Sequence, residues 1–402
     1  MADDPVPELD GKTPLQFAEI KTLDNLAYHG ALGNAVTIPE GMPAGSDTAI
    51  LSIFGCDPRK FYAGRAPLEA AATGIKLSPG DIAYRCNMIS IEDGDIPFES
   101  KKILSHSAGS IEGDESDTLI IELFNAPGFK ESAEKAGIRV YPGSSFRHLA
   151  VQTDVDNIGI ILIPPHDHLG DKLGQHLPKG SENAVVLEEL IRLSHDFLDD
   201  HPINTQRRGA GKLPANCIWF WAEGTAIKLP DFTARYGKTG SMISAVPLCQ
   251  GIGVLTGLEK IIVDGATGEL HTNYEGKVEA GLAALETHDF VALHIEAPDE
   301  CTHNGDIKGK IQAIEWIDTR IIKPLTEHLN ESKIEYKILI MSDHRTLSST
   351  RGHDSGPVPY VLYDSRNAEN ALGSGVGFCE ENTARSGILT DGTDLMNLLF
   401  DE

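Results

Sequence analysis

Between Leu339 and Tyr360 the chain reads LIMSDHRTLSSTRGHDSGPVPY. An apolar run, Ile338 to Met341, stops abruptly at Asp343 and His344, and His353 follows in a stretch of Gly, Ser and Pro. A second stretch, HIEAPDECTH, ends another apolar run with Asp299 and His303. Four residues apart on a helical turn, these two side chains share a face, ~5–6 Å apart at Cβ. Two carboxylates and three imidazoles gathered without partners would be costly to desolvate. A divalent cation relieves that cost, and His with Asp suits Mn²⁺, Zn²⁺ or Fe²⁺ better than Ca²⁺. The alternative makes the two aspartates helix caps and the histidines surface residues. It must hold for all five residues at once.

A third stretch, PEGMPAGSDTAILSIFGCDP, sets Ser46 in a tight Gly-Ser-Asp turn before an apolar, helix-like segment. A serine N-cap explains that position without chemistry. A nucleophile explains it too, because a helix N-terminus helps an anion form and then holds a phosphate. The segment FYAGRAPLEAAATGI follows and offers Arg65.

These groups need elements that bring them together. Short apolar runs alternate with helical patterns, which predicts an α/β fold. Strands are expected at Thr118–Phe124, Ile158–Pro164, Glu259–Gly265, Asp289–Asp299 and Glu335–Asp343. The clearest helix runs over 307–329, where Ile307, Ile311, Ile314, Ile317, Ile321, Leu325 and Leu329 trace one buried face. It lies between the strands ending near Asp299 and at Asp343. A βαβ unit follows, with both strands parallel in one sheet and ending on one edge, where ligands collect. Residues 77–222 hold many short strands and polar loops and read as a domain inserted into the first.

The 402 residues suffice for two or three domains, with 41% hydrophobic and 23% charged residues. A net charge of −26 argues against a nucleic-acid or anionic-membrane partner, since both need a positive face. A local Arg/Lys cluster still permits a small anionic substrate. Six cysteines without a CxxC pair suggest reduced thiols and a cytoplasmic protein. The start MADDPVPELDG is acidic and unlike a signal peptide, and no apolar run approaches the ~18 residues of a membrane span.

Seven segments in order, GKTPLQFAEIKTLDNLAYHGALG, PAGSDTAILSIFGCDPRKFYAGRAPLEAAATGI, AYRCN, PPHDH, GATGELHTNY, APDECTH and SDHRTLSSTRGHDSGPVP, resemble the archaeal-type cofactor-independent phosphoglycerate mutases of the alkaline phosphatase superfamily. The resemblance implies an alkaline-phosphatase-like metal core with a mainly parallel sheet over 1–76 and 223–402. An inserted phosphotransferase domain, α/β or α+β, would occupy 77–222. It implies two divalent ions, Mn or Zn with Mg or Fe also admissible, and no 2,3-bisphosphoglycerate. One ion would be held by Asp299, His303 and His353, the other by Asp343, His344 and the Ser46 oxygen. Ser46 would take the phosphoryl group and return it to the other hydroxyl of the bound glycerate. Substrate candidates are Arg65, Arg85 with Asn87, Arg147, His166 with Asp167, Arg207 or Arg208, and Lys238. The other activities to weigh are a homoserine-kinase-like phosphotransferase and a metal-dependent phosphatase, and beyond them a non-enzymatic binding module. Members of the family open with a strand running into Gly-Asp-Gly-Met-Ala-Asp, whose first Asp is a ligand. The given residues match from the Met onward, so the expectation is that they lack that strand and one carboxylate, with neither Asp3 nor Asp4 a ligand.

Overall fold

The computed structural model describes residues 1–143, 145–155, 159–367 and 373–401. Its strands are β1 (Ala31–Val36), β2 (Ile82–Ile91), β3 (Ile103–Ser105), β4 (Ile138–Tyr141), β5 (Arg147–Gln152), β6 (Cys217–Thr225), β7 (Gly240–Ile243), β8 (Glu259–Ile261), β9 (Phe290–Leu293), β10 (Lys337–Met341), β11 (Arg345–Leu347), β12 (Gly352–Asp354), β13 (Val358–Asp364) and β14 (Leu389–Asp391). The chain folds into two compact units. One comprises Met1–Tyr62, Ala71–Thr73 and Lys228–Glu402; the other comprises Ala63–Ala70 and Gly74–Ile227. Among the described residues no helix is long and apolar enough to cross a membrane.

In the unit around 74–227, β2 pairs antiparallel with β5 on one side and β6 on the other, and β3 pairs with its far end. All ten residues of β2 are buried. Helices Gly113–Asn125 and Glu182–Leu198 cover one face, setting Leu119, Ile120, Leu123, Leu187, Leu190 and Ile191 in one core with Tyr84, Cys86 and Met88. Two strand expectations fail here. Thr118–Phe124 belongs to the helix Gly113–Asn125: Ser116, Leu119, Ile120 and Leu123 are buried at helical spacing while Ile121 is exposed. Of Ile158–Pro164, Ile158 lies outside the described residues. The rest makes one isolated bridge, Ile161 to Lys179, before a Pro-Pro pair that cannot extend a ladder.

The other unit carries two sheets and a hairpin. β7 lies between β8 and β9, all parallel. The second sheet, β10-β13-β1-β14, is mixed: β13 runs antiparallel to β10 and β1, and β14 is parallel to β1. The expected single, mainly parallel sheet is thus corrected. β9 and β10 do not pair with each other, although each follows its predicted apolar run. Residues after β9 turn early into the helix Ala297–His303, because Pro298 suits a first helical turn. The predicted long helix forms, but in three parts: α-helix Ile307–Trp316, a π-turn Ile317–Ile322, and α-helix Lys323–Glu331. Pro324 lacks the amide that would continue the ladder, which accounts for the widened turn.

Candidate active site

Ser46 is the first residue of the helix Ser46–Ile53, and the cap position belongs to Gly45. The serine side chain therefore does not cap the helix. Ser46 Oγ donates to Asp343 Oδ2 at 2.7 Å and lies 3.0 Å from His344 Nε2. A Cβ on Gly45 would lie 2.9 Å from Asp47 Oδ1, so a larger residue before the serine would have to push that carboxylate aside.

The end of β10 delivers Asp343 and His344. Thr37 Oγ1 donates to the Asp343 carbonyl oxygen at 2.6 Å and pins the chain there. The hairpin β11–β12 then folds back with Thr346 opposite His353, returning His353 to His344 with ring centroids 4.2 Å apart. Asp299 and His303 sit one helical turn apart, Asp299 Oδ2 being 3.1 Å from His303 Nε2. Ligand atoms of Asp299, His344 and His353 lie within 4.8 Å of one another. The sequence cluster of two carboxylates, three imidazoles and a serine is one place in the fold.

The donor set fits a divalent cation. His303 Nδ1 faces the Arg351 carbonyl oxygen at 2.8 Å, and His353 Nδ1 faces that of Ala44 at 3.2 Å. A carbonyl only accepts, so each Nδ1 carries the proton. The two Nε2 atoms then face each other at 2.9 Å, with Asp299 Oδ1 3.5 Å from His353 Nε2. Neutral imidazoles in that arrangement point lone pairs at one another, which a cation satisfies and a hydrogen bond does not. Backbone oxygens orienting the far ring nitrogens are the usual support of metal-binding histidines.

The ionisation pattern shows the cluster's demand for positive charge, which protons on the imidazoles meet where a cation does not. Burial raises the Asp299 carboxyl, but the hydrogen bonds of His303 and His353 and the charge of His344 outweigh it, holding it well below the ordinary range. The Asp299 hydrogen bond lifts His303 to about 9. Burial lowers His353, but Asp299 overrides it and its pKa rises. Burial also raises Asp343, but the charge of His344 leads the effects that bring it below its usual value.

Sequence reading missed two neighbours. Thr346 Oγ1 donates to Asp299 Oδ1 and lies 3.2 Å from His344 Nδ1. The alternation of a strand, which puts 344 and 346 on one side, was the available signal. His294, just past β9, lies 3.0 Å from Ser244 Oγ, and burial holds it down at about 4. Asp3 is no free ligand: it accepts from buried Lys310 at 2.6 Å and from Ser348.

The arginine candidates separate into three groups. In the 74–227 unit, Arg85 is clamped on both oxygens of Glu69, which also meets Arg65, and its guanidinium lies 4.7 Å above Trp221. Trp221 Nε1 donates to Asn87 Oδ1 at 3.1 Å, and the His166 ring stands edge-on to Trp221 at 5.1 Å. Burial, then the charges of Arg85, Arg65 and Arg147, lower His166 against the opposing pull of Asp167. Arg65, Arg85, Asn87, Arg147, His166 and Asp167 thus form one electropositive group. Arg207 is not part of it. It is buried, with its guanidinium donating to Glu115, Ala108 O and Leu213 O, a structural arrangement that leaves no face for a ligand. Arg208 is likewise held by Asp93 and Asp199. Lys238 precedes the amino end of β7, whereas the cluster gathers beyond carboxyl ends of strands, so it falls on the wrong edge.

Residues 27–204 match the family model described as 2,3-bisphosphoglycerate-independent phosphoglycerate mutase. The chain is 43% identical to a Geobacter sulfurreducens protein named "Probable 2,3-bisphosphoglycerate-independent phosphoglycerate mutase", over 100% of this chain and 97% of the relative. It is 42% identical to the 2,3-bisphosphoglycerate-independent phosphoglycerate mutase of Methanosarcina barkeri, over 99% and 96%. It is also similar to the solved structure of the cofactor-independent phosphoglycerate mutase of Thermoplasma acidophilum, with TM-score 0.62, 26% identity, and coverage of 99% and 96%. The chain belongs to the 2,3-bisphosphoglycerate-independent phosphoglycerate mutase family.

Proposed function

We propose that the Ser46 cluster is where this chain interconverts 3-phosphoglycerate and 2-phosphoglycerate, through a phosphoserine. One observation carries the reading: Ser46 Oγ at a helix N-terminus, donating to Asp343 Oδ2 at 2.7 Å beside His344. Ser46 Oγ attacks the phosphorus of 3-phosphoglycerate, the Oγ–P bond forms and the ester bond to O3 breaks. The serine proton passes to Asp343, which hands it to O3 as the ester bond breaks, so that O3 leaves as the hydroxyl of bound glycerate. The glycerate O2 hydroxyl then attacks the phosphoserine, giving its proton to Asp343 and carrying the phosphoryl group away as the Oγ–P bond breaks, and Asp343 returns the proton to Ser46 Oγ. Nothing is consumed, as an isomerisation requires.

Asp299, His303 and His353 would hold one divalent ion, Mn or Zn, and Asp343, His344 and Ser46 a second, in an alkaline-phosphatase-like core. Such ions lower the serine pKa and neutralise charge on the transferring group. Thr346 keeps Asp299 and His344 aligned. Arg65, Arg85 and Arg147 with His166 supply the positive field for the substrate carboxylate and phosphate, where bidentate guanidinium contacts are the strong ones.

Acid-quenched protein mixed with 3-phosphoglycerate and Mn²⁺ should carry phosphate on Ser46 by mass spectrometry, and Ser46→Ala should carry none. Turnover that survives in Ser46→Ala would sink the relay. Faster turnover of homoserine with ATP, or of an aryl phosphate, than of 3-phosphoglycerate would assign a different acceptor.

A further inference from the structure

Between Pro165 and Leu177 lie three side chains that neither the serine cluster nor the arginine group uses: His168, Asp171 and His176. Each presents a ligand atom, and these atoms all lie within 4.8 Å of one another. His168 Nδ1 is 3.2 Å and His176 Nε2 3.0 Å from the same oxygen, Asp171 Oδ2. The two imidazoles stack, with centroids 3.9 Å apart and planes at 22°. At the corners of a tetrahedral zinc site with bonds of ~2.0–2.1 Å, ligand atoms stand roughly 3.3 Å apart. The two spacings to Asp171 are already close to that, and the third is within 4.8 Å.

The backbone holds the three in place. Gly170 N donates to Ile103 O at 2.8 Å, Ile103 N to Asp171 O at 3.0 Å, and Leu173 N to Lys101 O at 2.9 Å. Leu173 is fully buried between the second and third ligand positions. A site fixed by its scaffold loses little on ordering when a ligand arrives. The Asp171 side chain is about half exposed, which leaves an entry path and room for water.

We propose that His168, Asp171 and His176 bind a divalent cation of the Zn²⁺ class, with water completing the coordination. Two imidazoles and a carboxylate are a borderline donor set that suits Zn²⁺ and disfavours Ca²⁺ and Mg²⁺. The site is separate from the Ser46 cluster and does not depend on the phosphotransfer reading. Its role is a cross-link within the 168–176 loop, whose backbone already hydrogen-bonds to the edge strand β3. The rival is a hydrogen-bonded trio in which both imidazoles donate to Asp171 and no metal enters.

Zn²⁺ alone decides between them, titrated into metal-stripped full-length chain against a chromophoric chelator. His168→Ala/His176→Ala should bind one equivalent fewer than the unmutated chain. In a chain with Asp299→Asn and His344→Ala, one equivalent should remain and vanish when His176→Ala is added. An unchanged count in His168→Ala/His176→Ala overturns the proposal. Melting in chelator checks that each variant folds. Where one does not, the unmutated chain is followed by NMR with Co²⁺: ring resonances of His168 and His176 shifting in a saturable step support the site, and resonances unmoved at saturation of the Ser46 cluster overturn it.

Discussion

β2 in the one unit and the pair β9 and β10 in the other are all strands of an apolar core, but they meet their neighbours differently. β2 is hydrogen-bonded on both sides and buried along all ten residues. β9 pairs only with β7, and β10 only with β13, among the described residues, and every residue of both is half-buried. Ile338 and Ile340 of β10 and Ile295 beyond β9 pack on the same cluster as Ile314, Ile317 and Ile321, so one helix layer serves two sheets with an open edge each. The chemistry follows the same division. Arg85 and Asn87 project from β2 itself, held by the ladder. Asp299, Asp343 and His344 lie beyond strand ends, where a helix, a hairpin and Thr37 position them. A saturated sheet can carry functional groups within its strands, whereas an open one leaves their placement to the connections.

The strongest test of that division is at the strand ends. His303→Ala and Asp343→Ala should each lower kcat by ~10³ or more, the scale on which nucleophile activation and charge stabilisation act. Both should bind less Mn²⁺ and keep the fold, because neither residue belongs to a ladder. Full metal occupancy in either variant would contradict the assigned ligands.

The open edges of β9 and β10 should accept a strand. Ala2 bonds to Ser342 and Thr346, just past the carboxyl end of β10, so an apolar segment fused ahead of it can run back beside β10. Pairing it on both sides should raise stability by a few kcal/mol, since exposed strand edges and half-covered apolar faces are costly. If that segment ends in Asp, tighter binding of the ion near Asp343 should accompany the gain. Calorimetry and metal titration of the two lengths check both, and equal melting temperatures would mean the edges need no partner.

The saturated sheet has its own weak point, in acid. Burial holds His148 at about 4, from an ordinary value of 6.5. Its Nδ1 accepts from Gly143 N at 3.0 Å and its Nε2 lies 3.1 Å from Ser116 Oγ, which itself donates to the Ser145 carbonyl. No place remains for a second proton. The unfolded chain therefore takes that proton first, and stability present above pH 6.5 falls as pH drops toward 4. The loss should approach about 3 kcal/mol. Urea melts at pH 7 and pH 4 should show His148→Gln losing less than the unmutated chain; equal losses would assign the acid sensitivity elsewhere. At the bottom of the scale, Lys238→Ala should leave kcat and KM within about twofold, because Lys238 is only half-buried and a surface substitution away from a site is usually within ~0.5 kcal/mol. A larger rise in KM would return Lys238 to the substrate site.

The carboxylate–imidazole cluster was legible because its residue types sit at fixed short spacings: Asp299 to His303 on one turn, and Asp343 next to His344 at the end of an apolar run. The apolar face of 307–329 was legible by its period, while Pro324 and the π-turn it imposes change the helix without changing that face. Thr118–Phe124 was misread because a three-residue apolar core such as Leu119 to Ile121 has no period of its own, and the partners across the unit decide for helix. Residue types and near neighbours alone determined the chemistry available here, a carboxylate–imidazole cluster with a serine at a helix start. Tertiary structure alone decided that Arg85 and His166 meet over Trp221 while Arg207 is enclosed by Glu115 and two carbonyls. A guanidinium has the same charge wherever it lies, and only the atoms that long-range folding brings around it determine whether any of its donors are left for a substrate.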